Sequence, residues 1–130
     1  MKQTIIAFVL LLTLGACQKN GNAAADPSKV VIDINTPQAG QVFKSGDSIV
    51  INAEVSYPSE LHGYEVRITD TLSGFILYDS AVHVHNSQFN ISNVWNCTTT
   101  KVLGLKLDVI ADIDHNGTQG IQSLRFQCNP

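Results

Sequence analysis

From Lys29 to Cys128 apolar and polar residues alternate with a period of two, and nowhere in that span is a 3.6-residue period sustained. Alternate side chains of an extended strand point to opposite faces, so this pattern predicts half-buried strands. Val30, Ile32 and Ile34 share one face, against Val31, Asp33 and Asn35. Val42-Phe43 follows the break Thr36-Pro37-Gln38-Ala39-Gly40, and Ser45-Gly46-Asp47 reads as a turn. The clearest strand places Ile49, Ile51, Ala53 and Val55 inward, and Tyr57-Pro58-Ser59 is expected to end it. Tyr64, Val66 and Ile68 form the next inward set, and a Ser73-Gly74 turn leads into Phe75 to Tyr78. Val82 and Val84 are expected to be buried, with His83 and His85 pointing away from them. After a break at Asn86-Ser87 come Phe89 and Ile91. The longest strand carries Leu103, Leu105, Leu107, Val109 and Ala111 on one face. Asn116-Gly117 is a strong hairpin signal, and Leu124, Phe126 and Cys128 share the parity of the return strand. About seven short strands within roughly 100 residues predict an all-β chain, an antiparallel β-sandwich.

The N-terminus follows a different rule. Lys2 precedes an apolar run from Ile5 to Leu14, and the small pair Gly15-Ala16 comes next. A charged start, a short apolar middle and a small-residue cleavage site predict a secretory signal peptide over residues 1–16. A transmembrane helix needs about 20 apolar residues, roughly twice this run. Leu14-Gly15-Ala16-Cys17 resembles the bacterial lipobox, in which the cysteine is acylated and becomes the first mature residue. That resemblance implies lipidation of Cys17 and a membrane partner reached through the N-terminal lipid. Residues 17–28 then read as the lipidated cysteine and a flexible polar tether, and residues 29–130 as the domain.

With Cys17 assigned to lipid, Cys97 and Cys128 remain as an even pair in an exported chain, which predicts one disulfide. The alternative is a pair of free thiols. Loss of residues 1–16 removes one cation and leaves seven basic against eleven acidic residues, a formal charge of −4. Without clustered cations to release counterions from phosphate, nucleic-acid binding is excluded as the main activity.

Gly46-Asp47-Ser48-Ile49-Val50-Ile51-Asn52-Ala53 and Tyr64-Glu65-Val66-Arg67-Ile68 resemble strands of bacterial immunoglobulin-like domains. Val109-Ile110-Ala111-Asp112 with His115-Asn116-Gly117 is similar to their strand and turn "V-x-A-x-D-x-x-G-N", with Asn and Gly exchanged and one residue inserted. Lipobox, tether and a single such domain together look like lipoproteins of the Bacteroidetes type. The resemblance implies an immunoglobulin-like antiparallel β-sandwich in the cell envelope, held at the outer membrane, with the periplasmic and the surface face both open. Asp47-Ser48-Ile49, Asp70-Thr71-Leu72 and Asp79-Ser80-Ala81 are similar to the Bacteroidetes O-glycosylation pattern, which makes Ser48, Thr71 and Ser80 candidate acceptors near strand ends.

Two constellations carry possible chemistry. His83 and His85 lie two apart on a strand, so both imidazoles face one way and suit zinc or copper. His62 and His115 are further donors at unknown distance. The competing reading is a solvated polar face. Asp112-Ile113-Asp114-His115-Asn116-Gly117 opens like an EF-hand calcium loop, with Asp112, Asp114 and Asn116 as oxygen donors. Its twelfth position, however, is Ser123, and no flanking helices are indicated. The competing reading is a polar hairpin closed by Asn116-Gly117. No nucleophile sits in a recognisable catalytic motif, and no catalytic residue is assigned. The expectation is a lipid-anchored, non-enzymatic immunoglobulin-like binding or accessory module of the envelope, with an envelope protein or a glycan as partner. The alternative is a periplasmic or surface metal-binding lipoprotein using His83 and His85.

Overall fold

The structure, a computed structural model, describes residues 24–130, so the expected signal segment and Cys17 lie outside the described residues. Six strands follow a short 3₁₀ turn at Pro27–Lys29: β1 Val31–Thr36, β2 Val42–Lys44, β3 Ser48–Asp70, β4 Ile76–Asn96, β5 Leu103–Asp112 and β6 Gln119–Asn129. β3 and β4 are long because each bends and serves two layers. The first half of β3 pairs with β1 and with the second half of β4. Its second half pairs with β5 and with the first half of β4. β5 pairs with β6, and β6 takes β2 as a parallel neighbour. The result is an immunoglobulin-like β-sandwich: β1, β3 and β4 on one side, and β4, β3, β5, β6 and β2 on the other.

The bends fall where strand ends were expected. Around Tyr57-Pro58-Ser59 the β3–β4 ladder shifts register between Ser56 and Leu61, and again between Leu61 and Gly63. Pro58 has no N–H to give a ladder, and register shifts of this kind turn a strand sharply. The chain therefore swings from one layer to the other without leaving extended structure. Asn86 likewise lies within the same irregular stretch of β4.

Between the layers, Ile49, Ile51, Val55, Val66, Ile68, Leu105, Leu107 and Val109 are fully buried. They are the inward parities of three predicted strands, joined by Phe89, Ile91 and Phe126. Each such side chain contributes about 1.5–3 kcal/mol on burial. Cys97 and Cys128 are bonded, and both sulfurs lie inside the core.

Two expectations need correction. Val82 and Val84 are exposed, at 39% and 38%. The register does put Val82 opposite Tyr64, on the inner face. But β4 has β3 as its sole ladder partner, and an edge strand beyond the reach of the opposite layer leaves inward residues wet. The end of the expected tether also packs: Ala25 lies against the core, and the Asp26 N–H donates to the Tyr57 hydroxyl at 3.0 Å. Asp26 caps the 3₁₀ turn by accepting from the Ser28 N–H.

Candidate metal centre

All four histidines of the chain meet at one end of the sandwich, delivered by three separate segments. His62 comes from the bend in β3, His83 and His85 from the edge strand β4, and His115 from the turn between β5 and β6. Ring centroids are 4.0 Å apart for His62–His115, 4.6 Å for His62–His85 and 4.9 Å for His83–His85. His83 and His115 are separated by 6.0 Å. One ring nitrogen each from His62, His85 and His115 lies within 4.8 Å of the others. Among the described residues, this is the set of three donor side chains close enough to share an ion.

Local structure sets where each of these segments sits. Gly63 carries no side chain and sits in register with both His83 and Asp112, which lets β4 lie tight against the bend that carries His62. The Asp114 carboxylate accepts from the Asn116 N–H at 2.9 Å, the Thr118 N–H at 3.0 Å and the Thr118 hydroxyl at 2.8 Å. Those bonds clamp the turn on which His115 rides. They also hold the Asp114 carboxyl below its ordinary range, with the Thr118 bonds the chief cause. His85 Nδ1 lies 2.9 Å from the Glu60 carboxylate, an orienting contact that leaves Nε2 as its free donor.

His62 is the most enclosed of the four imidazoles. Its Nδ1 is buried and has no hydrogen-bond partner among the described residues. Loss of hydration, then the neighbouring imidazoles His115, His85 and His83, hold it below its ordinary value of 6.5, while Glu60 pulls the other way. The folded chain thus keeps His62 neutral where the unfolded chain would protonate it. The stability this lends is present above the ordinary value and is lost as pH falls through the depressed one. Urea unfolding at about pH 7.5 and about pH 5.5 should show a fall in stability that His62→Gln makes smaller. An equal fall in both proteins would contradict this account.

The other sequence candidates are placed as follows. Asp112 accepts from the Gln119 side-chain amide at 2.8 Å, across the hairpin. With Asp114 committed to the turn, Asp112, Asp114 and Asn116 appear as hairpin residues, and Ile113 between them is buried. Ser48 begins β3 and its hydroxyl donates to Asn96 at 2.8 Å. Thr71 follows β3 in an exposed turn and donates to the Gly104 carbonyl. Ser80, expected near a strand end, instead lies inside β4 and is half-buried, because β4 runs unbroken from Ile76. Cys17 lies outside the described residues.

An open cleft of about 830 Å³ borders the cluster, lined by Ala24, Tyr57, Pro58, Glu60, His62 and Asn116 among others. Ala24, the first described residue, lies in its wall beside His62.

No protein-family model matches the sequence, and no curated protein matches it. Solved structures of similar course include the fibronectin(III)-like modules of CbhA from Clostridium thermocellum, at a TM-score of 0.48 and 15% identity over 75% of this chain and 94% of that one. Another is a CARDB domain from Pyrococcus furiosus, solved in complex with di-metal ions, at a TM-score of 0.43 and 10% identity over 78% of this chain and 94% of that one.

Proposed function

We propose that this chain is a lipid-anchored, non-enzymatic immunoglobulin-like binding module of the bacterial envelope. The observation that carries the reading is the sandwich itself, with its functional side chains gathered at one end on a bend, an edge strand and a hairpin turn. Such positions are where β-sandwiches meet partners. The order Lys2, Ile5 to Leu14, Gly15-Ala16-Cys17 supports the anchor. Six residues lie between Cys17 and Ala24, so seven chain steps give a reach of about 25 Å at most. A lipid on Cys17 therefore keeps the histidine-bearing end within reach of the bilayer surface, where partners of the envelope, protein or glycan, would meet it.

Cys17→Ser tests the anchor. The variant should appear as a soluble or an uncleaved form, whereas the wild type sediments with membranes at mature length. A variant that still sediments at mature length would refute the assignment. A second reading, a metal-binding envelope protein, is favoured by the convergence of His62, His83, His85 and His115.

A further inference from the structure

We propose that His62, His85 and His115 bind one divalent transition-metal ion of the imidazole-preferring class, copper(II) ahead of zinc(II), with His83 as the fourth donor. The inference rests on the cluster alone and is independent of the lipid anchor.

The first argument is the placement. A merely solvated strand face accounts for His83 and His85, which alternate on β4. It does not account for His62 and His115, which arrive from residues remote in sequence and place their rings 4.0 Å apart. The second is the unpartnered Nδ1 of His62, a buried acceptor or donor that a native interior seldom leaves unused. A metal ion bonded there supplies the missing partner. The third is Glu60. A carboxylate on the far nitrogen of a ligand histidine fixes its tautomer and raises its basicity, the usual outer-shell partner of a metal-bound imidazole.

The donor set selects the ion. With nitrogen donors only, and Asp114 spent on its turn, hard cations such as calcium and magnesium are disfavoured. Imidazole suits copper(II), nickel(II) and zinc(II), and affinity for such ions rises to copper. Metal–nitrogen bonds of about 2.0–2.1 Å require donor nitrogens roughly 3.3 Å apart in a tetrahedral site. The present 4.8 Å spread closes by rotation of the exposed His85 and His115 rings, while the half-buried His62 stays as the fixed point. Neutral imidazole is the ligand form. Among the described residues the lysine in the cleft wall, Lys29, is exposed and paired with Asp26 at 3.5 Å.

The test is calorimetric titration of the purified full chain with copper(II) and with zinc(II), repeated on four variants. Wild type should bind one equivalent of each, copper more tightly. His62→Gln/His85→Gln/His115→Gln should abolish that binding. Glu60→Gln should weaken it about ten- to a hundredfold, as loss of an outer-shell partner does. His83→Gln should weaken it by a smaller factor than loss of any of the other three. His115→Gln alone, on an exposed turn, keeps the test decisive if the triple variant fails to fold. The electron paramagnetic spectrum of the copper form should show coupling to several imidazole nitrogens. No binding by wild type, or binding equal in wild type and His115→Gln, would overturn the proposal.

Discussion

Replacing Cys97 and Cys128 together by alanine is expected to lower the unfolding free energy by about 3–4 kcal/mol. The bridge spans 31 residues, and closing a loop of that length removes about that much chain entropy from the unfolded state. Its position in the fold makes the effect global. Cys97 follows β4 and is tied to the β2–β3 turn, its N–H donating to the Asp47 carbonyl at 3.1 Å and its carbonyl accepting from the Gly46 N–H at 2.7 Å. Cys128 lies on β6, in register with Leu103 of β5 and Phe43 of β2. The bond therefore joins the end of one layer to the middle of the other. For a domain whose whole stability is about 5–15 kcal/mol, its loss removes a large share. The melting temperature should fall by about 15 °C or more, at about 4–8 °C per kcal/mol. Denaturant unfolding with and without reductant checks this: wild type should move and the double variant should not. Equal midpoints for reduced and oxidised wild type would sink the prediction.

The sandwich was legible because its core obeys local parity. Ile49, Ile51, Ala53 and Val55, or Leu105, Leu107, Val109 and Ala111, announce an inward face within a few residues, and all are buried. The pairing of Cys97 with Cys128 followed from arithmetic on an even pair. Two things were not legible. Val82 has the parity of an inward residue, but whether anything covers it depends on which strand is an edge, and that is set by pairings far away in sequence. The histidine cluster was half visible: period two shows that His83 and His85 share a face. Nothing local shows that the Pro58 bend returns His62 to the same end of the molecule as the Asn116-Gly117 turn. The turn signals on either side of those histidines were present, but a turn read as a strand end gives no direction. Only the continuity of β3 through its bend sets the distance from His62 to His115.

Gly63→Ala should be the most damaging single substitution near the candidate centre, costing about 2–6 kcal/mol. Two effects add. Gly63 has φ +150, a conformation that side-chain-bearing residues rarely adopt, and such strain costs about 1–3 kcal/mol. A Cβ there would also lie 2.3 Å from the Val82 carbonyl oxygen and 3.2 Å from the His83 Cα. Both neighbours are backbone, so no side chain can swing aside, and β4 itself must move away, at about another 1–3 kcal/mol. The strand displaced is the one that carries His83 and His85, while the strained residue adjoins His62. Stability and the geometry of the cluster should therefore fail together, with copper binding weakened alongside the urea midpoint. Gly117→Ala is the control. Gly117 also has a positive φ, +86, but a Cβ there meets nothing within 4 Å. It should cost only the conformational strain, about 1–2 kcal/mol. If urea unfolding gives the two variants the same loss, the close approach of β4 to Gly63 is not what holds this end of the sandwich together.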